Sequence, residues 1–441
     1  MAVCLAMAAV ICFGQIQGST MLLIVIMALF LLVIALACYF RLAFAVLLFF
    51  LPWSPLIKVG LGQISFYTIA LLSACLIYCF MQGFSLRIFQ IVLPAVIISL
   101  TLIGKALQSN SIANNYLCFA ALLVFFPCLT RDDSGSIDFW TLTVFFSVGI
   151  ITAAFTAQQV VVYSNIAKYI TVESYLKITR LSGFYGDPNF YAAHITACLA
   201  GVQLLLCYER DKTKQIVLTL LAVLLFYCGL LSASKMFIFT AALQFLIWIP
   251  ALMKSQEYGS GRLRLIVGLL CAGAFILSSE AFRSLFRIID NRFVYASDIS
   301  ELTTGRTELW KRYFYELTHN PLLLLFGEGF SAATLNNKAS HNTIIQSFFQ
   351  FGITGVPFIA AWMYSELRSI IERHMHMKPK WEYILLIVAG VAFPWMSLDI
   401  MFFDEFFLLP AYAVFSVVFV SGKSGRFRLP GERGLNTVGA K

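Results

Sequence analysis

The chain has 441 residues, 60% hydrophobic and only 12% charged, with a mean hydropathy of +0.85. Soluble domains are about 25% charged, so this composition excludes one and predicts an all-α integral membrane protein. The net charge of +9 does not indicate a nucleic-acid partner, because the basic residues are spread over short loops, where they set membrane orientation.

A membrane-crossing helix needs about 20 mostly apolar residues. On that criterion the expected spans are 2–15, 20–40, 42–56, 64–82, 88–107, 113–129, 138–158, 188–208, 215–232, 235–253, 263–280, 343–367, 382–398 and 402–421. The first and third are short, so the expectation is about 12–14 transmembrane helices in one polytopic domain over 1–421, with a basic tail at 422–441. The start "MAVCLAMAAVICF" has no basic lead and no cleavage site, and is expected to be a retained first span. All eleven cysteines fall in apolar segments and none forms a CxxC, so neither a disulfide framework nor a metal cluster is expected.

The segments "ERDKTK" (209–214), "KSQEYGSGRLR" (254–264), "RSIIERHMHMKPK" (368–380) and "KSGRFR" (423–428) are rich in Lys and Arg and are separated by pairs of spans. One side of the membrane can hold them all, and the positive-inside rule makes that side cytoplasmic, together with both termini. Segments 159–187 and 281–342 then lie outside, as does the short turn "LSASK" (231–235).

At 180–189 the chain reads "RLSGFYGDPN", ahead of an apolar run. Asp187 followed by Pro188 is a helix start: the carboxylate accepts from free backbone N–H groups and proline suits the first helical position. Asp187, Tyr191 and His194 recur at i, i+4 and i+7, a polar face in an apolar helix, expected to point into the protein or a cavity. A helix start beside a glycine-bearing loop that carries Arg180 makes an anion cradle, or else an ordinary cap beside a solvated arginine.

Within the long second outer segment, "TTGRTELWKRYFYELTHNP" (303–321) predicts a short amphipathic helix with a buried stripe of Trp310, Phe314 and Leu317. Arg306 opens it and Asn320–Pro321 ends it. After "PLLLLFGEGF" (321–330), "SHNTIIQSFFQFGITGV" sets His341 and Asn342 at the start of the next span. Further on, "SLDIMFFDEF" (397–406) carries Asp399, Asp404 and Glu405, read as an interfacial turn rather than an acceptor groove. His374 and His376 belong to a solvated basic run. There is no P-loop, no dinucleotide fingerprint and no serine elbow, so ATP-driven transport and serine hydrolysis have no support.

Four stretches in order, "RLSGFYGDPNFYAA" (180–193), "LSASKMFIF" (231–239), "TGRTELWKRYF" (304–314) and "NPLLLLFGEGF" with "SHNTIIQSFFQFGITG" (320–355), resemble the O-antigen ligase and O-antigen polymerase superfamily of bacterial membrane glycosyltransferases. The resemblance covers about 150–400; the N-terminal third matches only as apolar spans. It implies an all-helical bundle with a large extracytoplasmic loop, about 281–342, that bears short amphipathic helices. It also implies transfer of an undecaprenyl-diphosphate-linked glycan to an acceptor sugar at the outer face of the cytoplasmic membrane, with inversion, no metal and no cofactor. The partners implied are that donor, a glycan or lipid-linked acceptor, membrane lipid and other polysaccharide-assembly proteins. Arg180, Arg306 and His341 take the family's catalytic positions. Asp187, Asn189, Tyr191, Lys235 and Asn342 are the substrate-binding candidates. Lys235 stands where many members carry arginine, which keeps the charge but loses the bidentate fork.

The chemistry suits these residue types. Breaking the bond between the anomeric carbon and phosphate builds negative charge on the departing diphosphate, and guanidinium groups and helix N-termini stabilise it. The acceptor hydroxyl must lose a proton, so His341 is either a general base or a phosphate contact. The shared motifs do not separate polymerase from ligase, and the high span count leans slightly to polymerase. A transporter or flippase for lipid-linked glycans is the alternative, expected to show two related halves and broken helices. A non-catalytic scaffold would have no use for the arginines and the histidine.

Overall fold

The computed structural model describes residues 1–59, 65–82, 87–108, 115–131, 138–167, 169–170, 182–254, 305–330, 335, 339–374, 380–402 and 404–424, with Ser278 and Arg283. The fold is all-α. In chain order the helices are α1 (Ala2–Gln17), α2 (Thr20–Tyr39), α3 (Ala43–Phe50, continued by a 3-10 turn at Leu51–Leu56), α4 (Phe66–Gln82), α5 (Ile88–Leu107), α6 (Tyr116–Thr130), α7 (Phe139–Val160) and α8 (Ser164–Ala167). They continue with α9 (Pro188–Tyr208), α10 (Lys212–Leu231), α11 (Lys235–Lys254), α12 (Arg306–His319), α13 (Pro321–Phe326), α14 (Thr343–His374), α15 (Trp381–Val391, then a 3-10 turn at Phe393–Ser397) and α16 (Glu405–Ser424). Seven are long and apolar enough to cross a membrane, and six shorter apolar helical segments accompany them. This is a multi-pass membrane protein. The expected span 263–280 lies outside the described residues.

The axis of the bundle is α9, whose residues from Tyr191 to Tyr208 are all buried. It packs against α7, α10, α11, α15 and α16. Alanines at 192, 193, 197 and 200 let these neighbours approach closely. At Gly201 a Cβ would collide with the Tyr412 hydroxyl, which meets Thr143 Oγ1 at 3.0 Å. Hydrogen bonds across the helix interfaces tie this buried helix to its neighbours. Gln244 Nε2 donates to the Thr196 carbonyl at 2.7 Å, Thr196 Oγ1 to the Gly390 carbonyl at 3.0 Å, and Trp248 Nε1 to the Gln203 carbonyl at 2.8 Å.

The two ends of the bundle differ. At one, Lys254 pairs with Glu382 at 3.0 Å, Arg87 with Glu372 at 2.9 Å, and Tyr208 packs on Tyr383. This end collects the ends of α9, α11 and α14 and the start of α15. The opposite end carries the starts of α9, α11, α14 and α16.

The amphipathic helix α12 forms where expected, but its buried stripe is rotated. Tyr313 and Leu317 are buried and Trp310 packs beside them, whereas Phe314 is 54% exposed. The i, i+3, i+7 spacing wins because Tyr313 has specific partners. Its ring meets Phe349 edge-on at 4.9 Å and its hydroxyl accepts from the Leu335 N–H at 3.1 Å.

Helix α14 is broken at Gly352, which has φ 62° and ψ 179°. The carbonyls of Phe349 and Gln350, which the break would leave without helical donors, accept from the Glu328 and Gly329 N–H groups, both at 2.9 Å. A Cβ on Gly352 would strike the Leu325 carbonyl, and its φ is one that side-chain-bearing residues rarely adopt. Gly352→Ala should therefore cost about 3 kcal/mol or more, read as a lowered midpoint of thermal unfolding in detergent. A midpoint equal to that of the parent would show that the break is not needed.

Candidate functional site

The start of α9 is built as its sequence requires. Asp187 Oδ1 accepts from the Asn189 backbone N–H at 2.7 Å and from its side-chain amide at 2.9 Å. Asn189 Oδ1 in turn accepts from Ser234 Oγ at 2.7 Å. This bond docks the turn between α10 and α11, bent by the positive φ of Ala233, onto the mouth of α9. Lys235, half-buried, is the first residue of α11 beside it.

The start of α14 is fastened to the segment between α15 and α16. Asn342 Oδ1 caps the helix, accepting from the N–H groups of Ile344 and Ile345 at 3.0 and 3.2 Å, while its amide donates to the Met396 carbonyl at 3.1 Å. Thr343 Oγ1 donates to the Leu398 carbonyl and accepts from the Ile400 N–H. Held from both sides, Asp399 comes within 3.8 Å of His341, Oδ1 to Nδ1. Trp310 Nε1 donates to the Ser340 carbonyl at 2.9 Å, which ties α12 to the same strap.

Electrostatics define the cluster. Burial pushes the Asp399 carboxyl above its usual range. His341 pulls it back, Asp187 pushes it further up, and Arg306 pulls it down. Asp187, Arg306 and His341, from three other stretches of chain, thus all bear on Asp399 at one end of the bundle. The His341 side chain is 37% exposed and that of Asp399 only 12%, so the imidazole is within reach of a ligand and the carboxylate stands behind it. Arg180 lies outside the described residues.

The expected face of Asp187, Tyr191 and His194 divides. Tyr191 is fully buried, and its hydroxyl donates to the Ile150 carbonyl of α7 at 2.9 Å. His194 Nε2 donates to Glu405 Oε1 at 3.0 Å, with both side chains buried. Tyr185 donates to the same oxygen at 2.6 Å and stands 3.0 Å from Ser54 Oγ. Asp404 accepts from Thr68 Oγ1 at 3.1 Å. The stretch "SLDIMFFDEF", read from sequence as an interfacial turn, thus supplies three carboxylates to this end of the fold. The signal for them was present: acids set among phenylalanines in a membrane chain call for partners.

No protein-family model matches the chain, and no curated protein matches it significantly.

His341 has φ 51°, in the left-handed region, where a side chain costs about 1–2 kcal/mol. His341→Gly should unfold within about 1 kcal/mol of the parent, because relief of strain offsets the lost contact with Asp399. His341→Val, β-branched at positive φ, should lose about 2 kcal/mol or more. Thermal unfolding of both variants in detergent measures the contrast, and equal midpoints would contradict it.

Proposed function

We propose that the chain is a membrane glycosyltransferase of the O-antigen polymerase or ligase kind. It moves an undecaprenyl-diphosphate-linked glycan onto an acceptor sugar at the outer face of the cytoplasmic membrane. The observation that carries this reading is the approach of His341 Nδ1 to Asp399 Oδ1 at 3.8 Å, at the end of the bundle that also carries the capped mouth of α9 and Arg306 at the start of α12. The motif resemblance in four ordered stretches supports it.

In this reading the acceptor hydroxyl oxygen attacks the anomeric carbon in a single inverting displacement. The bond to the phosphate oxygen breaks, the diphosphate lipid departs with the electron pair, and the hydroxyl proton passes to His341 Nε2. The Asp399 carboxylate near Nδ1 favours the imidazolium that forms. Arg306, with Arg180, neutralises the diphosphate without a metal. Asn189 and Lys235 at the α9 mouth orient the sugars, and Asn342 holds His341 in place.

The topology follows the charge asymmetry. The basic end is cytoplasmic, with both termini there, and 281–342 is the extracytoplasmic loop that carries α12. The seven long helices and six shorter apolar segments among the described residues support a chain of many spans. A second reading, a flippase for lipid-linked glycans, draws on the break of α14 at Gly352, since transporters use discontinuous helices near their substrates.

The test is transfer by purified protein in nanodiscs, given a defined undecaprenyl-diphosphate oligosaccharide and an acceptor. Arg306→Ala should slow transfer about 100- to 1,000-fold, with Arg306→Lys intermediate. Transfer undiminished in Arg306→Ala would sink the enzyme reading. Translocation of the lipid without transfer would establish the flippase.

A pH profile adds a second check. As pH falls through the raised pKa of Asp399, the carboxyl becomes neutral and its hold on His341 and Arg306 is lost. The parent should therefore lose activity on the acid side with a component lying above the ordinary aspartate value of about 3.9. Asp399→Asn, neutral throughout, should lack that component and turn over more slowly at every pH. Superimposable profiles at equal rate would remove Asp399 from the mechanism.

A further inference from the structure

Below the mouth lies a cavity of about 310 Å³ that the transfer chemistry does not use. One wall carries the Asp404 and Glu405 carboxylates with the hydroxyls of Ser54, Thr68 and Tyr185. The other is aromatic: Phe119 and Phe330 are stacked there, with centroids 4.2 Å apart. Asn115, at the start of α6, also lines it, and its buried side-chain oxygen has no hydrogen-bond partner. Lys58 stands at the same cavity, with Nζ 4.6 Å from the centre of the Tyr169 ring.

These walls select a ligand by chemistry. A phosphate or carboxylate would face two acidic side chains across a small space and is disfavoured. A bare metal ion would need six or more converging oxygens and would gain nothing from an aromatic wall beside a lysine. A pyranose ring suits both walls. Its hydroxyls donate to carboxylate oxygens and exchange hydrogen bonds with serine, threonine and tyrosine hydroxyls. Its C–H face packs on the rings. The volume lies at the small end of the ligand-pocket range of about 300–1,000 Å³, which fits one or two sugar rings and not a lipid.

We propose that this cavity is a binding site for a neutral pyranose. That the sugar is the acceptor of the transfer reaction rests on the glycosyltransferase reading; that it binds does not. Tyr185 joins the cavity to the catalytic mouth, since it lines the first and sits two residues before Asp187 in the second. Cys118 also lines the cavity and is half-buried, which provides a reporter.

The experiment uses the full chain in nanodiscs with methyl pyranosides of glucose, galactose, rhamnose and N-acetylglucosamine, and with sodium pyrophosphate as the anionic control. Saturation-transfer NMR should show contact with at least one pyranoside, and that sugar should slow maleimide labelling of Cys118, followed by mass spectrometry. Thr68→Val and Asn115→Leu, each close in shape to the parent residue, should weaken binding about tenfold or more, whereas Arg306→Ala should leave it unchanged. Pyrophosphate should not compete. No contact with any of the four sugars, equal binding in the Thr68 and Asn115 variants, or displacement by pyrophosphate would each overturn the proposal. Sugar binding without transfer would end the enzyme reading and leave the cavity assignment standing, and transfer without sugar binding would do the reverse.

Discussion

Everything at the polar end of this bundle depends on one rule of the apolar interior: a charge taken out of water must meet its partner there. Glu405 is the focus. Its Oε1 receives hydrogen bonds from His194, two turns inside α9, and from Tyr185, in the loop that leads to that helix. A single carboxylate oxygen thereby sets the start of α16 against the axis of the bundle and fixes the approach to α9. With α16 anchored, the preceding residues have little freedom, and the hydrogen bonds of Asn342 and Thr343 to 396–400 complete the strap that carries Asp399 to His341.

The candidate site is assembled from helix starts. The mouth of α9, the first residue of α12 and the cap of α14 come together although more than a hundred residues separate the first from the others. Helix starts favour anionic ligands, yet two of these three already carry a side-chain cap, Asp187 and Asn342. In the proposed reaction, binding of a diphosphate would therefore fall to the basic side chains around them more than to bare backbone amides. The carboxylates lie in two groups with different work: Asp399 beside the imidazole, and Asp404 and Glu405 around a cavity suited to uncharged hydroxyl-rich ligands.

Much of the architecture was legible in the sequence because hydrocarbon thickness dictates helix length. The apolar run 188–208 is helix α9 residue for residue, and the Asp–Pro start and Asn342 cap behave as their chemistry demands. What could not be read is what depends on neighbours. Periodicity put Phe314 in the buried stripe, and only the position of Phe349 decides for Tyr313. It put Tyr191 and His194 on one face without saying that α7 would take the first and α16 the second. The acids of 397–406 looked like a turn because their partners, Thr68, Tyr185, His194 and His341, are scattered over the chain.

The interruption of α14 at Gly352 has a mechanical consequence. Membrane helices accommodate changes in bilayer thickness largely by tilting, and an unbroken rod would carry that tilt straight to His341 at its tip. Here the upper piece is hung from the amides of Glu328 and Gly329 and not stiffly from the helix beneath. Lean of the lower rod with the lipid is thereby not carried along one rigid axis to the imidazole at the other end.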